Sequence, residues 1–265
     1  GTNDYLTVPK STDFDFPGEF TMEGWILANS LPTGSNDYDE NKTIFESIDW
    51  NSQLGQYHFG ISSQDNKVQF YVFNNANTFI RGTTTLTPRR WYHLAVSRDS
   101  SSNIRIFVNG VLENTTNNNY ALSNSNQPNF ARIGATKIGS SSGSLSKYLN
   151  GYISNVRIIK GTALYTSNFT PSTTPLTNVT NTKLLCCQST TSATTAAVSP
   201  TSLSTVGQTL SDISQNPFDA FSVDGTGYST AATATAATTS NLTAGNITLS
   251  KASVNTETGF SILMY

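Results

Sequence analysis

At 265 residues the chain has room for one large β domain with an appendage, or for two small domains. Only 12% of its residues are charged and the formal net charge is −2. With no Lys/Arg cluster, the long-range positive field of nucleic-acid binding is missing, and no apolar run approaches the roughly 18 residues of a membrane span. Neither a nucleic-acid partner nor membrane insertion is expected.

Ser, Thr and Asn abound, so the surface is solvated by hydroxyls and amides instead of charges. No signal peptide is recognised and the sequence opens on Gly1, which points to a processed chain or to one piece of a longer polypeptide.

In chain order, residues 5–9 read as a short strand, and Phe14, Phe16 and Phe20 bring aromatic bulk to the first turn. Residues 20–29 alternate Phe20, Met22, Gly24 and Ile26 on one face with Thr21, Glu23, Trp25 and Leu27 on the other. Both faces are mostly apolar, so this strand is expected at the centre of a sheet. Glu23 is the exception. It is a candidate catalytic acid if the protein is a glycosidase, and otherwise a carboxylate satisfied by a neighbouring strand or by loop amides.

Residues 31–42 form a loop containing SNDYDENK. Asn36, Asp37, Asp39 and Glu40 offer hard oxygen donors of the kind calcium takes, although the EF-hand spacing and its distal Glu are absent. A solvated acidic loop is the alternative. Four strands then follow at 43–49, 56–61, 68–73 and 78–84, with polar turns between them. Spacing of about ten residues is the signature of an antiparallel sandwich.

The strongest local signal is RRWYHLAVSRDSSSNIRIFVNGVLENTT, from Arg89 to Thr116. Residues 91–98 make a strand, Ile104, Ile106 and Val108 share one face of the next, and Asn109-Gly110 supplies a tight type I′ turn back through Val111 and Leu112. His93, at alternate spacing with Trp91 and Ala95, reads as a buried structural histidine. Residues 117–127 and 139–146 are polar loops, 130–134 a short strand, and 151–160 a closing strand. The segment GTALYTSNFTP carries the chain over one edge, and Leu184-Leu185 make a last short strand.

Cys186 and Cys187 are adjacent and can close only a strained eight-membered ring, so two free thiols at a strand end are expected. Composition then changes. Residues 189–220 are rich in Ser, Thr and Ala, with apolar residues spaced singly at Val198, Leu203, Val206, Leu210 and Ile213. That pattern fits a linker or an extended arm. Residues 221–265 start a small β segment that ends in an apolar strand needing a partner.

Three stretches carry a family resemblance. The Trp-Tyr-His-x-Ala-Val strand with its Phe-Val-Asn-Gly hairpin, FTMEGWILAN, and LNGYISNVRIIKGTALYTSNFTPSTTPL together resemble the laminin-G-like domains of the concanavalin A-like lectin/glucanase superfamily. The RIIKGTALYTSNFTP exit resembles bacteriophage virion proteins, notably marine and cyanobacterial ones. The resemblance implies an all-β, antiparallel jelly-roll sandwich over residues 1–188, followed by the arm and the small β segment. It also implies a calcium site at a sandwich rim, as related domains often have.

Three functional classes follow. A jelly-roll glycosidase places carboxylates at alternate positions of one strand. The nearest match, Glu46-Ser47-Ile48-Asp49, puts its two acids on opposite faces, and no Ser-His-Asp or Cys-His motif surrounds His93 or Cys186, so no catalytic residue is assigned. A glycan-binding module would use Tyr38, Trp50, Tyr57, Tyr120 and Tyr148 as stacking rings beside Asn amides, with surface or packing aromatics as the alternative. A structural subunit accounts for the low charge, the arm and the final strand. The expectation is a non-enzymatic phage virion protein of a fibre, tail or capsid appendage. It would be homo-oligomeric or bound to other virion proteins, with a jelly roll that contacts host surface glycans. A bacterial surface or secreted adhesin or filament subunit is the alternative.

Overall fold

The computed structural model describes residues 4–32, 41–48, 55–73, 78–123, 130–136, 147–189 and 192–207, and the backbone of four short strands between 220 and 247. The chain divides into two units, Gly1–Ser211 and Asp212–Tyr265.

In the first unit the strands run β1 (Tyr5–Pro9), β2 (Phe20–Ala28), β3 (Lys42–Ser47), β4 (Tyr57–Ile61), β5 (Lys67–Val72) and β6 (Thr78–Thr85). Next come β7 (Trp91–Arg98), β8 (Asn103–Val108), β9 (Val111–Asn117), β10 (Phe130–Ile133), β11 (Ala135–Thr136) and β12 (Lys147–Tyr148). The last four are β13 (Gly151–Lys160), β14 (Thr182–Cys186), β15 (Ala196–Val198) and β16 (Ser204–Val206).

Two seven-stranded antiparallel sheets make the sandwich. One has the order β16-β1-β10-β3-β4-β5-β6 (sheet A) and the other β15-β14-β13-β2-β7-β8-β9 (sheet B). As its two apolar faces foretell, β2 lies in the middle of sheet B, between β13 and β7. Phe20, Met22 and Ile26 face the core, where they meet Tyr92, Leu94, Val96, Ile104 and Ile106 from the same sheet and Tyr57, Phe59 and Phe70 from the other. The β8–β9 hairpin turns through Asn109 (φ 49°) and Gly110 (φ 79°), the pair of positive angles a type I′ turn needs. Gly110 is required twice over, because a Cβ there would also run into the Phe169 carbonyl oxygen.

The two open sides of the sandwich are closed differently. On one side β6 and β9 are the edges, and the Glu113 carboxylate accepts from Thr83 N (2.6 Å), Thr84 N (2.7 Å), Thr84 Oγ1 (2.7 Å) and Thr83 Oγ1. Burial alone would raise its pKa, but these Thr donors outweigh burial and lower it. Replacing Glu113 with Ala is expected to cost about 1–2 kcal/mol in urea unfolding at neutral pH. A depressed carboxyl stabilises the fold above its unfolded value, and that contribution fades as pH falls through the folded one. The wild-type advantage over the variant should therefore shrink on acidification below about pH 4.

On the other side the closure is made by backbone, in residues 192–207. Ala196–Val198 pairs with β14, and Ser204–Val206 pairs with β1 in the register Tyr5↔Val206 and Thr7↔Ser204. Between them Leu203 is buried in the core. This corrects the expected boundary at 188. The described part of the segment read as a linker or arm adds an edge strand to each sheet of its own sandwich.

At one end of the sandwich Arg98, 1% exposed, donates to the carbonyls of Phe16 (2.6 Å), Gly18 (2.5 and 2.8 Å) and Tyr120 (2.7 Å). Its guanidinium lies 5.1 Å from the Phe20 ring centroid, and burial lowers its pKa to about 10. The side chain thereby ties the loop before β2 to the chain after β9.

In the second unit Ala220–Val223 pairs with Thr226–Ser229, and Leu242–Thr243 with Asn246–Ile247, as two short antiparallel ladders. The final apolar strand expected near Tyr265 lies outside the described residues. Among the described residues no helix is long and apolar enough to cross a membrane.

Candidate functional site

The outward face of sheet B carries a buried charge network. Glu23 on β2, 1% exposed, accepts from Arg157 Nε on β13 (2.8 Å) and His93 Nε2 on β7 (2.9 Å). Tyr165 Oη donates to the same carboxylate at 2.9 Å. Burial by itself would raise the Glu23 pKa, but the bond to His93 and the charges of His93 and Arg157 carry it below the ordinary carboxylate value. Tyr165 belongs to the exit segment after β13, which crosses the face of sheet B as a strap. Its ring stacks on Phe169 at 3.6 Å and 6°, and both meet Phe107 edge-on. Backbone ties at Thr21 Oγ1 (from Leu164 N, 2.8 Å) and Gly110 O (from Phe169 N, 2.9 Å) hold the strap down. The exit thus covers a face, where the sequence had suggested an edge.

The middle of the outward face of sheet A is buried as well. Glu46, Arg132, His58, Gln69 and Tyr71 are all buried there. Arg132 Nη1 reaches Glu46 Oε1 at 3.1 Å, and Thr136 Oγ1 donates to Glu46 Oε2 at 2.6 Å. His58 Nε2 meets Thr43 Oγ1 at 3.1 Å, and burial lowers the imidazole pKa to about 3, so the ring is neutral at physiological pH. Glu23 and Glu46 face outward from different sheets, with the whole core between them. They cannot flank one glycosidic bond, which needs carboxyls roughly 5–9.5 Å apart.

Among the described residues, half-buried aromatic rings remain on both outward faces, Trp25 and Tyr152 on sheet B and Phe79 on sheet A, and a further pair meets beside β1. Tyr148 on β12 and Tyr5 at the start of β1 are both half-buried, with ring centroids 6.0 Å apart and planes inclined by 33°. Burial, then Tyr5 and Asp4, push the Tyr148 phenol pKa up, so it stays a neutral hydroxyl. Lys42 Nζ donates to the Tyr148 carbonyl at 3.5 Å, and the Asn29 and Asn150 amides meet at 3.2 Å on the adjoining ends of β2 and β13.

Of the residues singled out for sugar stacking, Tyr148 is in the pair with Tyr5. Tyr57 is corrected: it is fully buried between the sheets, and its hydroxyl donates to Phe14 O at 2.9 Å. Its alternation with Phe59 and Ile61 along β4 carried that signal. Tyr120 is packed against the core beside the Arg98 clamp. The structure does not bring the three together. Tyr38 and Trp50 lie outside the described residues, as do Asn36, Asp37, Asp39 and Glu40. Among the described residues no cluster of three or more His, Cys, Asp and Glu side chains forms a metal site. Tyr5 was read only as part of a strand.

Two seven-stranded antiparallel sheets packed face to face define a jelly-roll sandwich. A laminin-G family model, described as Concanavalin A-like lectin/glucanases superfamily, matches residues 1–165, and the chain belongs to that superfamily. No curated protein matches the sequence. Among solved structures, similarity is found to a protein of Bacteroides ovatus proposed to bind carbohydrate (19% identity, TM-score 0.45), covering 60% of this chain and 42% of that one. The heptameric SAP-like pentraxin of Limulus polyphemus is 16% identical (TM-score 0.39; 59% and 70% covered). The CBM40 of the Ruminococcus gnavus IT-sialidase is 11% identical (TM-score 0.42; 62% and 92% covered).

Proposed function

We propose that the sandwich is a non-catalytic glycan-binding module carried by a phage virion appendage. In that setting it would contact sugars of the host surface. The observation that carries the glycan reading is the inclined, half-buried Tyr5–Tyr148 pair beside β1 of a sandwich of the lectin/glucanase superfamily. Two phenol rings offer apolar faces to the C–H side of a sugar, and the Asn29 and Asn150 amides supply donors and acceptors for its hydroxyls. The non-catalytic part is supported by Glu23 and Glu46, each paired with a buried Arg on opposite sides of the molecule. The phage setting rests on the RIIKGTALYTSNFTP exit, and homo-oligomers or other virion proteins are the assembly partners it calls for. Asn36, Asp37, Asp39 and Glu40 are the residues that would hold calcium.

The test is an array of bacterial lipopolysaccharide and capsular glycans, followed by calorimetric titration of the best binder. Tyr5→Ala and Tyr148→Ala should each weaken binding about tenfold without changing the melting temperature. No binding to any spot, or binding indifferent to both substitutions, overturns the proposal. Dialysis against EDTA decides the calcium part: undiminished binding removes it.

A further inference from the structure

Neighbouring residues in a strand point to opposite faces, so Cys186 and Cys187 at the end of β14 should hold their sulfurs apart. They do not. Cys187 takes φ +59°, a left-handed conformation uncommon for a side-chain-bearing residue, and the two Sγ atoms lie 3.7 Å apart. The conformation is held in place. Cys187 O accepts from Asn155 N (3.0 Å) and from Ser154 Oγ (3.4 Å). The next residue, Gln188, is anchored through Nε2 to Asn155 Oδ1 (2.7 Å) and Leu176 O (2.8 Å). Cys186 is buried in the core, and Cys187 is half-buried and within reach of solvent.

We propose that Cys186 and Cys187 form a vicinal dithiol that closes to an internal disulfide when the folded chain meets a small-molecule disulfide oxidant. The Cys187 thiolate attacks one sulfur of the oxidant RSSR, forming a mixed disulfide and releasing RS⁻. The Cys186 thiolate then attacks Cys187 Sγ, forming the Cys186–Cys187 bond and expelling the second RS⁻. The dithiol loses two electrons and two protons, and RSSR becomes two RSH. The hydrogen bond to Cys187 and then burial push the Cys186 thiol up, so the second step is the slower one and quickens as pH rises. The eight-membered ring is strained, which makes the bond easily reduced and the site reversible. Cys186 pairs with Ala196, so the ring forms where the sandwich hands over to its β15–β16 closure.

The folded full chain is incubated with oxidised glutathione, and its intact mass and free thiols are followed. Both thiols should disappear, with the chain lighter by two hydrogens, no glutathione retained, and full recovery on adding dithiothreitol. Cys186→Ala should keep one glutathione on Cys187, because nothing is left to expel it. Cys187→Ser should stay unmodified, since its remaining thiol is buried. A wild-type chain that retains glutathione, links to a second chain, or keeps both thiols overturns the proposal. That outcome is read on the wild type and does not depend on either variant folding.

Discussion

A chain ending at Gln188 is expected to melt roughly 10 °C below one ending at Ser211 and to show association in light scattering that the Ser211 chain lacks. The shorter chain loses β15 and β16 and with them the cover on two sheet edges, β1 and β14. It also loses Leu203 from the core, a side chain whose burial contributes about 1.5–3 kcal/mol. Lost ladder hydrogen bonds at Tyr5–Thr7 and at Leu185–Cys186 bring the deficit to the order of 3–5 kcal/mol. For a domain of this size each kcal/mol shifts the midpoint by about 2–4 °C. The bared backbone of β1 and β14 is a template for pairing with another chain, which is why association should accompany the loss. Equal melting and a clean monomer at Gln188 would show that the terminal strands close nothing.

Replacing Glu23 with Ala should cost about 3–5 kcal/mol in urea unfolding, the largest effect expected of any single carboxylate in the described residues. The substitution leaves Arg157 buried without its counter-charge and frees Tyr165, which ties the strap to sheet B. Because the folded carboxyl is depressed, its stabilisation is complete above the ordinary value of 4.5 and declines as pH drops through the folded one. Wild type and variant should therefore converge in strongly acidic solution and differ most near neutrality. Were Glu23 an acid catalyst, the isosteric Glu23→Gln would abolish sugar release with little change in stability. A large stability loss with no hydrolytic activity in the parent points to the structural role.

What could be read in the residues follows from how local each signal is. The Asn109-Gly110 hairpin, the doubly apolar β2 and the buried His93 rest on alternation within one strand or one turn, and the structure has all three. Tyr57 was legible too, since it shares a face with Phe59 and Ile61 of the strand read at 56–61, which fits burial and not a stacking ring. β15 and β16 were not legible: three-residue Ser/Thr/Ala strands have no period, and their partners lie far away in sequence. The same distance hides the pair of Tyr5 and Tyr148, which meet only through the fold. Arg98 and Glu113 look like ordinary surface charges in sequence, because the carbonyls that Arg98 reaches and the Thr83 and Thr84 amides and hydroxyls that reach Glu113 lie far away along the chain.

The pairing of Tyr5 with Val206 also bears on how the chain is made. The two residues are 206 − 5 = 201 positions apart, so at roughly 5–20 residues per second a ribosome delivers β16 about 10–40 s after β1. Over that interval β1 has an edge that β16 cannot yet cover, and registry of sheet A is completed only when residues 204–206 emerge.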